Sequence, residues 1–157
     1  MKDKIMLIIV CQFALNLFSQ EQNFFEQKAF EIYKDSVVKN FASDTKIKIC
    51  LKIQDYNYWE SDCTKKFGLV WQDTIMGRVN TNIKKIYVEK DKRFQKIRNF
   101  KKGNYPVTFV TPCITMEQNK NFVSVIETTR NNVISYTFEF YDDGKLKRWC
   151  KGKWIGE

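Results

Sequence analysis

The feature that most constrains this chain lies near its C-terminal end: Asn132-Val-Ile-Ser-Tyr-Thr-Phe-Glu-Phe-Tyr141, then Asp142-Asp-Gly-Lys145, then Leu146-Lys-Arg-Trp-Cys150. Ile134, Tyr136, Phe138 and Phe140 alternate with Ser135, Thr137 and Glu139, the period of two that gives a strand one apolar and one polar face. Asp142 and Asp143 suit the first positions of a type I turn, and Gly144 supplies the positive φ that returns the chain through a bulge. The stretch therefore reads as a strand, a tight turn and a returning strand.

The other end of the chain bears on compartment. Lys2 and Lys4 precede an apolar run from Ile5 to Phe18, broken by Gln12 and Asn16, and Ser19 follows. This is the layout of a secretory signal peptide over residues 1–19, too short for a membrane span. A lipid anchor at Cys11 is the weaker reading, because Val10 precedes it and the apolar run continues past it. Export to the periplasm, cell surface or medium gives the remaining four cysteines, Cys50, Cys63, Cys113 and Cys150, an oxidising environment, and two disulfides are expected. Four cysteines allow three connectivities. The preferred pairing is Cys50 with Cys63, clipping a local excursion, and Cys113 with Cys150, tying two C-terminal strands. Zinc is disfavoured, since no Cys-x-x-Cys pair and no histidine occurs, and no metal or cofactor is expected.

Residues 20–157 read as one domain, with only two prolines and six glycines in the whole chain and no linker-like run. Phe25, Ala29, Ile32, Tyr33, Val37 and Phe41 recur at helical spacing within 21–41, while Glu26, Lys28, Glu31, Lys34 and Lys39 take other positions. Lys46 to Ile53 then alternates, with Ile47, Ile49, Leu51 and Ile53 on one face. Short strands are expected at 69–71, 75–79 and 83–88, and longer ones at 107–110, 122–129, 133–141 and 146–150. Short polar connections favour an antiparallel meander. The fold class is α+β: an N-terminal helix packed on a curved antiparallel sheet.

Two stretches carry candidate binding chemistry. Gln54 to Cys63 is dense in aromatics and carboxylates; Tyr56, Tyr58 and Trp59 beside Glu60 and Asp62 suit sugars or cationic groups, although aromatics folded onto the core are the ordinary alternative. Lys84 to Lys102 concentrates basic residues, and Phe94, Ile97 and Phe100 at steps of three suggest a short helix with a basic face. Basic residues interleaved with aromatics can hold single-stranded nucleic acid, and a solvated charged face is the plainer reading. With Lys+Arg 27 against Asp+Glu 18, a net +9, the chain will be drawn to anionic surfaces such as envelope polymers, phospholipid head groups or nucleic acid.

The segment Phe138-Glu-Phe-Tyr-Asp-Asp-Gly-Lys-Leu-Lys-Arg-Trp149, behind an N-terminal helix, resembles the last hairpin of cystatin-like and NTF2-like cone folds. The resemblance covers that hairpin and the order of elements. It departs from those folds between residues 42 and 105, where no second and third helices are evident. It implies a cavity between helix and sheet without naming an occupant.

Catalysis is narrowly bounded. Without histidine, Ser-His and Cys-His activation and histidine metal sites are excluded, and the scattered glycines form no phosphate loop. A glycosidase-type carboxylate pair remains, with Glu60 and Asp62 or Glu127 and Glu139 as nominal members. The preferred function is therefore a non-catalytic exported domain that binds a ligand or protein partner. A basic module for envelope polyanions or nucleic acid and a carboxylate-based hydrolase are the alternatives.

Overall fold

The computed structural model describes residues 24–54, 61–68, 78–79, 85–100, 105–116 and 120–153. The leader at 1–19 and the strands expected at 69–71 and 75–77 lie outside them.

The N-terminal helix, α1, spans Phe25–Ser36, shorter than the periodicity predicts. Val37 still donates its N–H to the Tyr33 carbonyl, a 3-10 turn follows at Val38–Asn40, and Phe41 is extended. Val37 and Val38 are β-branched and stiff against the preceding turn, and Asn40 Nδ2 takes the Ser36 carbonyl at 2.8 Å in place of a further helical donor. Ala29, Phe30 and Tyr33 are buried as the stripe requires.

Among the described residues one open sheet of eight strands lies against α1: β1 Ile47–Cys50, β2 Arg78–Val79, β3 Phe94–Ile97, β4 Val107–Val110, β5 Ile114–Met116, β6 Lys120–Thr128, β7 Val133–Phe140 and β8 Leu146–Lys153. Strand β6 is its spine. One edge pairs along its length with β7; the other pairs with β4 and β5 in tandem. The antiparallel expectation holds for β4 through β8, but β1 runs parallel to both β3 and β4, so the sheet is mixed. The helix expected around Phe94 is strand β3, paired residue for residue with β1. Periodicity over three positions fits a helix, yet parallel pairing satisfies the backbone of 94–97 and seats Phe94 beside Phe30 (5.6 Å between ring centres). At 83–88 the described part makes only an isolated bridge, Lys52 with Lys85.

Register sorts the side chains. Ile47, Ile49, Phe94, Val110, Val123, Val125, Tyr136, Phe138 and Phe140 join the stripe of α1 in the main core. Each such burial contributes about 1.5–3 kcal/mol, largely offset by lost chain entropy. The opposite face is covered too: Cys50, Val107, Phe109 and Ile126 form a second cluster with Ile97, Phe100 and Tyr105 at its margin. Farther along, that face carries a hydroxyl row, with Thr137 Oγ1 at 3.0 Å from Ser124 Oγ and 3.1 Å from Ser135 Oγ.

The cysteine pairing differs from expectation. Cys63 bonds Cys150, with 5.6 Å between Cα atoms, while Cys50 and Cys113 are free and buried. Cys113 lies in the core under α1, whereas Cys150 pairs across from Thr137 on the other face, with β6 and β7 between them. Three strand spacings amount to about 14 Å, beyond disulfide reach. Cys50 belongs to strand β1, next to the β3 edge of the sheet, while Cys63 sits on a short helix, α2 (Asp62–Lys66), docked on β8 at the opposite edge. The chain folds α2 back across 87 positions of sequence to make this bond.

Two glycines fit these turns and contacts. Gly144 has φ +78°, and the Gly144 N–H reaches the Tyr141 carbonyl at 2.8 Å, closing the expected turn. A Cβ on Gly152 would lie 3.0 Å from both the backbone nitrogen and Sγ of Cys63. Gly152→Ala is therefore expected to push α2 off β8 and to cost about 1–3 kcal/mol in chemical denaturation, as overpacking does. The same substitution made after reduction and alkylation of the disulfide should cost less.

Candidate functional site

A groove of about 920 Å³ lies between α1 and the segment Tyr87 to Phe94. Its walls are tied together by side chains far apart in sequence. The Gln27 carboxamide makes two bonds to the backbone of Tyr87: Nε2 donates to the carbonyl at 2.9 Å and Oε1 accepts the N–H at 2.7 Å. Gln27 thus acts as a strand edge for the loop. Arg93 grips Asp91 through Nε and NH2 and also donates to the Val38 carbonyl at 3.3 Å. These bonds hold Asp91 below its ordinary pKa. Lys34 reaches Glu89 at 3.8 Å across the gap. Tyr87 projects, 69% exposed, at the mouth. The lining thus offers Glu31, Asp35, Lys39 and Lys92 around an apolar floor that includes Phe30 and Phe94. Such a wall suits a ligand that carries both charges, a peptide segment for example.

A second, smaller pocket of about 170 Å³ opens where α1 meets the ends of β4 and β6, lined by Tyr33, Phe41, Thr108 and Glu127 among others. The buried Tyr33 hydroxyl donates to Glu127 Oε1. Burial, then the neighbouring carboxylate, pushes the Tyr33 and Tyr136 hydroxyls far above their usual range, so both stay protonated donors.

The polar face assigned to α1 contains one error. Glu26 is 1% exposed, not solvated. The reason is Pro112, which interrupts the edge of β6 between β4 and β5 and leaves the N–H of Cys113 without a ladder partner. Glu26 Oε1 accepts that N–H at 2.7 Å, while Oε2 has no partner among the described residues. Burial raises the Glu26 pKa, and the Cys113 thiol is pushed up to about 12 by burial and by Glu26. The carboxyl caps a broken strand.

The nominal catalytic pair is separated. Glu127 pairs opposite Ile134, and Glu139 lies five residues farther along β7, about 16 Å by strand rise and on the other face because the offset is odd. Glycosidase pairs need roughly 5–10 Å. Glu139 is instead fully buried and bonded to Lys147 Nζ at 2.8 Å and to Arg148 Nε. Burial raises its pKa, but the two cations outweigh it and leave the carboxyl below its ordinary value.

Of the aromatic loop, Tyr56, Tyr58, Trp59 and Glu60 lie outside the described residues. Asp62 is exposed in the first turn of α2. Within the basic run, Arg93 is committed to Asp91 and Lys96 Nζ donates to the Val88 carbonyl. Among the described residues no group of three Cys, Asp or Glu side chains is gathered to hold a metal ion, and no helix is long and apolar enough to cross a membrane. No family model, curated protein or solved structure matches the chain.

Two outcomes follow from these carboxyls. A Glu26 pKa raised on folding contributes stability that is complete below the ordinary value of 4.5 and is lost as pH rises through the folded value. Denaturation of Glu26→Gln across that window should therefore show it gaining on the native protein as pH increases, whereas Glu26→Ala, which orphans the Cys113 N–H, should lose about 1–3 kcal/mol. At Glu139 the asymmetry is one of burial. Lys147→Ala with Arg148→Ala strands a buried carboxylate and should destabilise by about 3 kcal/mol or more, while Glu139→Gln leaves two half-exposed cations in water and should cost about 1 kcal/mol. Equal losses would contradict that assignment.

Proposed function

We propose that the chain is an exported, non-catalytic domain that binds a ligand or protein partner in the groove between α1 and the Tyr87 to Phe94 segment. The observation that carries the reading is the groove itself. A concavity of about 920 Å³ is in the range of ligand sites, and its walls are held in place by the Gln27–Tyr87 and Arg93–Asp91 bonds. A wall ordered beforehand lowers the entropic cost of binding. The carboxyls of Asp91, Glu127 and Glu139 support a non-catalytic role, since each is engaged by a cation or by a structural hydrogen bond. Export is supported by the pattern of residues 1–19 and by the oxidised Cys63–Cys150 pair.

Amide chemical shifts recorded against a panel of short peptides and zwitterionic fragments test the site. Shifts are expected to converge on Gln27, Tyr87 and Arg93, and Tyr87→Ser with Lys34→Ala should weaken the best binder by about tenfold, near 1.4 kcal/mol. Hits confined to other surfaces, unchanged in that variant, would overturn the groove as the site.

A further inference from the structure

The exposed surface of the C-terminal hairpin has a composition unlike the rest of the molecule. Among the described residues four large hydrophobic side chains are exposed, and three of them are here: Tyr141 at 52%, Leu146 at 37% and Trp149 at 40%. Five cations, Lys145, Lys147, Arg148, Lys151 and Lys153, lie in the same thirteen residues, 141–153. Strand β8 pairs only with β7 among the described residues, so this strip is an edge of the sheet.

Register shows how the strip is laid out. Leu146 stands opposite Phe140, Trp149 opposite Phe138, Lys151 opposite Tyr136 and Lys153 opposite Ile134, all on the side where α1 packs. The irregularity at Glu139/Phe140 skips Lys147, which together with Arg148 turns to Glu139. Lys145 bonds the exposed Asp143, but Lys151 and Lys153 have no carboxylate partner among the described residues. The α1 side of the edge is thus an apolar end, Leu146–Trp149, continued by a cationic end, Lys151–Lys153, and Tyr141 adds a third exposed apolar side chain at the hairpin turn, where Lys147 lies over its ring. Lysines on an edge strand also guard against pairing with another sheet, but that role does not call for an exposed Trp, Tyr and Leu beside them.

We infer that this hairpin edge docks on an anionic phospholipid bilayer, with Tyr141, Leu146 and Trp149 entering the head-group zone and the lysines lying over acidic lipid. Amphipathic aromatic rings and long lysine stems are the side chains that suit such an interface. Single-stranded nucleic acid would use the same charge but needs free ring faces for base stacking. Here one face of each ring is already occupied. Trp149 stacks on Phe138 with 6.1 Å between centres, Lys147 Nζ sits 5.7 Å over the Tyr141 ring, and Leu146 has no ring to offer. Partitioning into a bilayer requires exposed apolar area only, which all three supply. The surface is separate from the groove, so the inference does not depend on a ligand there.

Co-sedimentation of the full protein with vesicles of equimolar phosphatidylcholine and phosphatidylserine, against pure phosphatidylcholine, tests it. Binding is expected only to the anionic vesicles, to weaken with salt, and to fall at least about tenfold in Lys151→Glu with Lys153→Glu. Tyr141→Ser with Leu146→Ser, which leaves the Trp149 stack in place, should lower it about tenfold as well, at unchanged charge. No vesicle binding at low salt overturns the proposal. So does vesicle binding indifferent to the Tyr141 and Leu146 substitutions, or tighter binding of a single-stranded oligonucleotide than of the anionic vesicles, because each reduces the surface to one that recognises polyanions by charge alone.

Discussion

Every layer of this molecule depends on strand β6 being paired along both edges. Its nine residues, Lys120–Thr128, meet β7 on one side and β4 with β5 on the other, so the longest antiparallel ladder lies at the centre of the sheet. That pairing decides which residues of four strands face α1. Shifting the register by one position would send Val123 and Val125 away from Tyr136 and Phe138 and expose the whole stripe. The helix has no comparable hold of its own. Its twelve residues are held by Ala29, Phe30 and Tyr33 sinking into the face that β6 aligns.

The polar groups inside the fold follow from where that ladder is imperfect. Pro112 breaks the partner strand, and a carboxyl from α1 supplies the missing acceptor. Glu139 is buried on the face away from α1 and draws Lys147 and Arg148 across from the edge strand. Tyr33 and Glu127 close the seam between helix and sheet. The sequence offers Glu127 and Glu139 as a nominal acid pair and Glu26 as part of a solvated helix face; the fold uses all three as connectors. A chain rich in ionisable residues can therefore hold buried carboxyls without acquiring a catalytic pair, because each is compensated by a donor or cation rather than set against another carboxyl.

The disulfide joins what the ladder does not. Helix α2 has five residues, too few to hold itself in water. Cys63–Cys150 and the close approach allowed by Gly152 fasten it to β8, with Arg148 stacked over Phe67 at 4.3 Å. The edge strand is thereby covered on one face, while its α1 side keeps the exposed aromatic and basic strip. The groove at Tyr87 lies on a different part of the surface, bounded by the start of β3 and the polar flank of α1.

Local chemistry made several elements legible from residues alone. The alternation at 133–140, the Asp142-Asp143-Gly144 turn and the stripe of α1 are near-neighbour patterns, whose outcome is decided by side-chain period and the φ a residue tolerates. The burial of Glu26 and the strand at Phe94 escape the sequence pattern because helical spacing describes a face without saying what that face will meet. The partner of Glu26 is 87 positions away, and strand β3 is stabilised by β1, 47 positions earlier. The groove was invisible for the same reason, since Gln27 and Tyr87 acquire their meaning only from each other. Sequence by itself thus determined the hairpin, the helix, the α+β class and the lack of histidine chemistry, all of which rest on composition or on contacts a few residues apart. Tertiary structure alone decided the parallel strands, the Cys63–Cys150 pairing, the burial of Glu26 and Glu139 and the groove, because each depends on which distant backbone arrives beside it.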